Sequence, residues 1–399
     1  MRTGRVAAMS DPRDPSLPAE QGAAAERAGG SGRKLRVAVV FGGRSTEHAV
    51  SCISAGSVLS VLDRDAYEVV PVGISREGRW VLAADEPEKL AITGGTLPEV
   101  ADSGSSVVLA GDPTSRSLTV HEPGSLPREL GQVDVVFPLL HGPYGEDGTL
   151  QGLLELAGVH YVGSGVFASA AAMDKGHMKA LLAGSGLPVG RYAVVTPRQW
   201  ARDPAAVRET VATLGYPVFV KPCRAGSSVG ITKVREPAEL DDAIEVARSH
   251  DPRVIVEAMV EGREIECGVL EGRDGGPPEA SVPAEIIVGV GHDFYDFDAK
   301  YLPDEGTELA VPADLPTGVA DQIRRMACEA FEALSCEGLA RVDFFLDRHG
   351  AVLVNEVNTM PGFTPSSMFP LMWQATGLDY PALVDRLLQT AVARDTGLR

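Results

Sequence analysis

The chain is short of asparagine and lysine: only Asn355 and Asn358 occur among 399 residues, and seven lysines stand against 29 arginines. Five cysteines (Cys52, Cys223, Cys267, Cys328, Cys336) are scattered, with no CxxC and no disulfide-like spacing. Reduced thiols in a cytoplasmic protein fit best. No apolar run reaches the ~18 residues of a membrane-spanning helix. No Gly-Lys dipeptide exists, so there is no Walker A loop. Neither Gly42-Gly43-Arg44-Ser45-Thr46-Glu47 nor Gly163-Ser164-Gly165 completes G-x-G-x-x-G, which argues against a nucleotide-binding oxidoreductase. There is no internal repeat. With 36 basic against 55 acidic residues the net charge is −19, so neither a nucleic-acid nor an anionic-membrane partner is expected.

What is present suffices for two or three packed domains: 44% of residues are hydrophobic, and domains average about 150 residues. Residues 1–33 are rich in Ala, Gly, Pro and Arg and are expected to form a disordered extension, with Met9 as a second candidate start. Apolar strands at 35–41, 67–74 and 133–138 alternate with loops and helical patterns, which predicts a doubly wound α/β domain over 34–163 with ligands at the carboxyl ends of its strands. Ser45 or Thr46 is placed to cap the first helix. The stretch 76–130, polar and rich in Gly and Pro, reads as an irregular elaboration. A second domain is expected over 164–258 and a third over 259–399, ending in a helix near 379–394.

The chemistry concentrates late in the chain. Arg341-Val-Asp343-Phe-Phe-Leu346, a turn at Asp347-Arg-His-Gly350, and a second run from Ala351 predict a hairpin with Glu356 and Asn358 facing the same way. If the register adds Asp343, three hard oxygen donors meet beside Arg341, a set that suits Mg²⁺ shared with nucleotide phosphates. The plain alternative is a solvated strand face. Lys221-Pro-Cys-Arg-Ala-Gly226-Ser227-Ser228-Val-Gly230 sets a lysine before a Gly/Ser loop whose amides can approach phosphates, or simply makes a turn. Glu257-Ala258-Met-Val260-Glu-Gly-Arg-Glu264 offers a carboxylate suited to ribose hydroxyls and backbone suited to an adenine edge, or a solvated loop. Phe294-Tyr-Asp-Phe-Asp-Ala-Lys300-Tyr301 has the composition of a lid that excludes water from a nucleotide.

Together, Gly42 to Ser51, the His141-Gly142 to Gly152 loop, the Lys221 loop, the Lys300-Tyr301 pair and Arg341 to Ser367 resemble D-alanine–D-alanine ligases, ATP-grasp enzymes of peptidoglycan precursor synthesis. The resemblance spans about residues 35–395 in family order. Ala258 departs from it, where many relatives carry lysine. It implies an α/β, three-domain ATP-grasp architecture with an N-terminal doubly wound parallel-sheet domain. It also implies ATP as cosubstrate, two Mg²⁺ (Mn²⁺ as substitute) on Asp343, Glu356 and Asn358, and a homodimer through the first domain. The resemblance assigns Glu47, Ser227 and Tyr301 to a hydrogen-bonded triad that anchors the first D-alanine and orients the lid. Arg341 and the Gly362 amide stabilise an oxyanion, Ser367 and Lys300 hold the second carboxylate, and Lys175 and Lys221 hold phosphates. Ser228, Glu257, Ala258, Val260, Glu264 and Phe294 complete the nucleotide site. His141 belongs beside the first subsite, with a structural histidine as the alternative. The competing activity is D-alanine–D-lactate ligation, against which Tyr301 stands because lactate-selective relatives lack it. A non-catalytic ATP-binding or scaffolding protein would not need Arg341, Glu356 and Asn358 together with Glu47 and Tyr301.

Overall fold

Strand β1 (Leu35–Gly42) is apolar because both of its faces are covered. In the computed structural model, which describes residues 33–227, 229–288 and 307–397, it is the middle of a five-stranded sheet of order β3-β2-β1-β7-β8. Its companions are β2 (Tyr67–Ile74), β3 (Trp80–Leu82), β7 (Val135–Pro138) and β8 (His160–Tyr161). All pair in parallel except β3, which runs antiparallel to β2. The chain leaves β1 through α1 (His48–Val61) for β2 on one side, and leaves β7 through α2 (Thr149–Ala157) for β8 on the other. These opposite excursions open a crevice at the carboxyl ends of β1 and β7, where doubly wound sheets hold ligands.

Two expectations need correction. The stretch 76–130 is not irregular: besides β3 it contains an antiparallel sheet of β4 (Ser106–Leu109), β5 (Ser117–His121) and β6 (Arg128–Gln132). Val107, Leu109, Leu118 and Val120 pack against Ala38, Val40, Val72 and Val136 of the parallel sheet. Strands of four or five residues between Gly/Pro turns are too short to show a clear period. Nor does Ser45 or Thr46 cap α1: its N-cap is Glu47, without a side-chain cap bond. The Ser45 hydroxyl instead donates to the His141 carbonyl at 2.7 Å, tying the loop after β1 to the loop after β7.

The opposite face of the parallel sheet is covered from both ends of the sequence. Val37, Val39 and Phe41 share a core with Ala55, Val58 and Leu59 of α1. The same core takes in Phe369 and Trp373 of α9 (Met368–Thr376) and Leu383, Leu387 and Leu388 of α10 (Tyr380–Ala393). Tyr67 of β2 donates its hydroxyl hydrogen to Asp385 at 2.5 Å and accepts from Gln389 at 2.7 Å, so α10 is also latched by polar contacts.

Helices α3 (Val166–Met173) and α4 (Lys175–Gly184) follow β8. Next comes an antiparallel sheet of order β11-β10-β12-β9, made of β9 (Tyr192–Val195), β10 (Val218–Pro222), β11 (Thr232–Val234) and β12 (Val254–Ala258). Its core comes from α5 (Pro197–Arg202), α6 (Pro204–Ala212) and α7 (Leu240–Arg248). The last sheet runs β16-β15-β13-β17-β18 with β14 beside β13. Its strands are β13 (Gly262–Leu270), β14 (Glu279–Ala280), β15 (Ala284–Val288), β16 (Thr307–Ala310), β17 (Leu339–Asp347) and β18 (Val352–Asn358). Helix α8 (Val319–Ala333), with α3 and α4, buries one face of it. The other face lines a cleft of about 940 Å³ that the central sheet and the crevice after β1 also line.

Candidate active site

The β17–β18 hairpin has the register that its chemistry requires. Asp343 lies opposite Glu356 and Arg341 opposite Asn358. One step further, Phe344 pairs with Val354, which leaves Asn355 as the extra residue of a β-bulge. The bulge lets Val352, Val354 and Val357 all reach the core while Arg341, Asp343, Glu356 and Asn358 line the cleft. Unbroken alternation from Val354 would send Glu356 and Asn358 into that core. Arg341 grips Asp343 through Nε and Nη2 at 2.7 and 2.8 Å, and its Nε lies 3.2 Å from Glu266. Burial alone would weaken this guanidinium's hold on its proton, but Asp343 and Glu266 outweigh it and raise its pKa further. Asn358 Nδ2 donates to Asp343 Oδ2 at 2.9 Å.

Among the described residues no three His, Cys, Asp or Glu side chains form a metal cage. Two carboxylates and an amide fit a different use. Mg²⁺ is commonly held by one or two carboxylates, with waters and substrate phosphates completing the shell. Asp343, Glu356 and Asn358 suit that role, with Asn358 presenting its amide oxygen.

Lysines gather across the cleft from this strand. Lys175 Nζ donates to the Ala225 carbonyl at 3.0 Å and lies 3.4 Å from Glu356. Lys221, at the end of β10, sits 2.7 Å from Glu257 Oε2. Burial opposes the charge on Lys221, yet Glu257 outweighs it and raises the pKa. Burial would likewise push the Glu257 carboxyl up, but Lys179 and Lys221 hold it far below the ordinary value. The Ala258 amide donates to Arg191 O at 2.9 Å and the Met259 amide to Pro217 O at 3.2 Å. Ala258, Met259, Val260 and Glu264 all line the cleft, the stretch whose backbone was expected to meet an adenine edge.

At the crevice, the Glu47 carboxylate accepts the Ser227 hydroxyl hydrogen. Ser227 has φ 47°, in the left-handed region that few non-glycine residues occupy. A Cβ on Gly142 or on Gly226 would stand 2.8 Å from Glu47 Oε2, so both loops approach this carboxylate closely because they lack side chains. His141 is buried, with Nδ1 3.1 Å from Met360 O and Nε2 3.4 Å from Ser54 Oγ. The carbonyl requires the proton on Nδ1, and burial lowers the pKa, so the ring is neutral. His48 is likewise committed at both nitrogens, to Gly43 O at 2.7 Å and the Val100 amide at 3.0 Å. Ser367 stands at the N-terminal end of α9, its Oγ accepting the Thr364 amide at 3.1 Å.

Every residue proposed from sequence that the structure describes lines this one cleft, including Gly362. Ser228, Phe294, Lys300 and Tyr301 lie outside the described residues. Two residues were missed. Glu146 accepts the Gly142 amide at 2.6 Å and the Met360 amide at 3.2 Å. Burial, reinforced by Glu47, pushes its carboxyl up to about 8. The signal was a carboxylate inside the glycine-rich loop after β7. Lys179, 2% exposed, reads in sequence as an ordinary helical lysine.

The sequence matches the family described as D-ala D-ala ligase N-terminus over residues 36–164 and the D-ala D-ala ligase C-terminus over residues 181–389. A D-alanine–D-alanine ligase of Streptomyces griseus is 58% identical over 375 residues, covering 92% of this chain and 95% of its own. One from Kineococcus radiotolerans is 58% identical over 374 residues, covering 92% and 99%. Among solved structures, the VanG D-Ala:D-Ser ligase from Enterococcus faecalis superposes with a TM-score of 0.77 at 36% identity, covering 90% of this chain and 100% of its own. The D-alanine–D-alanine ligase from Coxiella burnetii gives 0.74 at 35% identity, covering 90% and 94%.

Proposed function

The chain belongs to the D-alanine–D-alanine ligase family, and from that premise we propose how its ATP-grasp cleft makes D-alanyl-D-alanine for peptidoglycan synthesis. The observation that carries the reading is the meeting of Glu47, Arg341, Lys175, Lys221 and the Asp343–Glu356–Asn358 set in one cleft. The first D-alanine places its ammonium at Glu47, with neutral His141 beside it. Its carboxylate attacks the γ-phosphorus of ATP, the bond to the bridging oxygen breaks, and D-alanyl phosphate and ADP result. The amine of the second D-alanine, once deprotonated, attacks the carbonyl carbon, and inorganic phosphate leaves from the tetrahedral intermediate.

Arg341 and the Gly362 amide stabilise the oxyanion, a task in which a donor fixed beforehand is worth most. Lys175 and Lys221 bind the phosphates, and Glu257, Ala258, Val260 and Glu264 bound the nucleoside. Ser367 with the N-terminus of α9 receives the second carboxylate. Asp343, Glu356 and Asn358 hold two Mg²⁺, which when bound neutralise phosphate charge. Tyr301, Lys300, Ser228 and Phe294 complete the triad, the second subsite and the lid on the strength of the family resemblance. A homodimer through the first domain rests on the family resemblance, and exposed apolar residues adjoin at the edge of that domain, Leu156 on α2 within it and Val166 and Phe167 on α3 just beyond it. Five free cysteines support a cytoplasmic setting. Phosphate release with ATP, Mg²⁺ and D-alanine tests the reaction. D-alanine should support it with D-alanyl-D-alanine as product, and L-alanine should not; D-lactate serving better as second substrate would overturn the assignment.

A further inference from the structure

Lys179 has no role in the reaction as set out above, yet it is among the most deeply placed charges of the cleft. It projects from α4 and is 2% exposed, and a lysine so buried is uncommon unless paired. Its Nζ donates to the Asn355 carbonyl at 2.8 Å and lies 2.9 Å from Glu257 Oε1. Both partners matter. Asn355 is the bulge residue of β18, outside the paired register, and the next strand residue but one, Val357, turns its amide to Met178 Sδ of the same helix α4 at 3.2 Å. Helix α4 thus grips the bulge that aims Glu356 and Asn358. Glu257 is shared: Lys221 holds its other oxygen at 2.7 Å. Lys221 and Glu257 alone would sum to zero charge and offer phosphate little attraction. Lys179 on the far oxygen brings the trio to +1.

We propose that Lys179 is a positioning residue for ATP: it balances Glu257 from behind so that the charge of Lys221 faces phosphate, and it pins the Asn355 carbonyl of the bulge. The inference rests on the nucleotide reading of the cleft. Calorimetric binding of ATP with Mg²⁺, without D-alanine, tests it on the full chain and on Lys179→Met, Glu257→Gln and the Lys179→Met/Glu257→Gln double variant, with steady-state kinetics alongside. Lys179→Met should weaken ATP binding about tenfold, as loss of a charged hydrogen bond does, and leave the KM for D-alanine within about twofold. Glu257 also bounds the nucleoside, so the double variant is read against Glu257→Gln: it should bind ATP within about twofold of that single variant, because without the carboxylate Lys221 needs no counterweight. A folded Lys179→Met with unchanged ATP affinity would overturn the proposal. So would a double variant that falls below Glu257→Gln as far as Lys179→Met falls below wild type, the additivity a packing role predicts. Should Lys179→Met not fold, Lys179→Gln, which keeps a donor for the Asn355 carbonyl, is judged by the same criteria. Wild type that binds no ATP would overturn the nucleotide reading and this inference with it.

Discussion

Glu146 is a half-buried carboxyl at the cleft wall, held beside Glu47 where ionisation is costly, and its pKa is raised from 4.5 to about 8. The sign of the consequence is fixed by linkage. Unfolded, the group ionises near its ordinary value; folded, it keeps its proton to about 8. The folded state therefore binds the additional proton between those limits, and stability falls as pH rises through the window and levels off above it. Glu146→Gln keeps the shape and removes the titration. Melting temperatures from about pH 5 to about 9 should show wild type losing ground to the variant as pH rises, and parallel curves would refute the assignment. None of this is legible in sequence. The loop 141–148 announces a ligand site, but the charge state of one carboxyl in it depends on its burial and on Glu47, which tertiary structure delivers from the loop after β1.

Strand β18 shows how much, at the scale of elements, alternation reveals and where it stops. That Glu356 and Asn358 face alike follows from a spacing of two, and the Asp347 to Gly350 turn makes the hairpin legible. The apolar residues Val352, Val354 and Val357 do not keep that period, and the bulge at Asn355 is its physical resolution. Deleting Asn355 restores a regular ladder with the same faces, so the fold should survive with a similar melting temperature. The kink that aims Glu356 would be lost, however, and misplacement by about 1 Å can cost a hundredfold in rate. Turnover close to wild type in this deletion would show that the bulge is incidental. The small sheet of β4, β5 and β6 was illegible for the opposite reason: its apolar residues make sense only once the parallel sheet they cover is in place.

For the whole molecule, the parallel order of β1, β2 and β7 was readable because buried strands are uniformly apolar and alternate with helices. Residues 1–32 precede every strand and helix described, so their deletion should change the melting temperature and turnover little. A large fall in either would give that segment a structural role.

The latch of α10 on β2, with the core that α10 shares with β1, has a consequence for how the chain is made. Strand β1, the first of the described strands, is buried in part by α10, the last of the described helices. At ~5–20 residues per second, roughly 15 to 70 seconds of translation separate them. Through that interval Val37, Val39 and Phe41 have α1 but not the C-terminal helices as cover on one face, so the nascent N-terminal sheet is a natural client for chaperones, and this core closes only once α10 has been made.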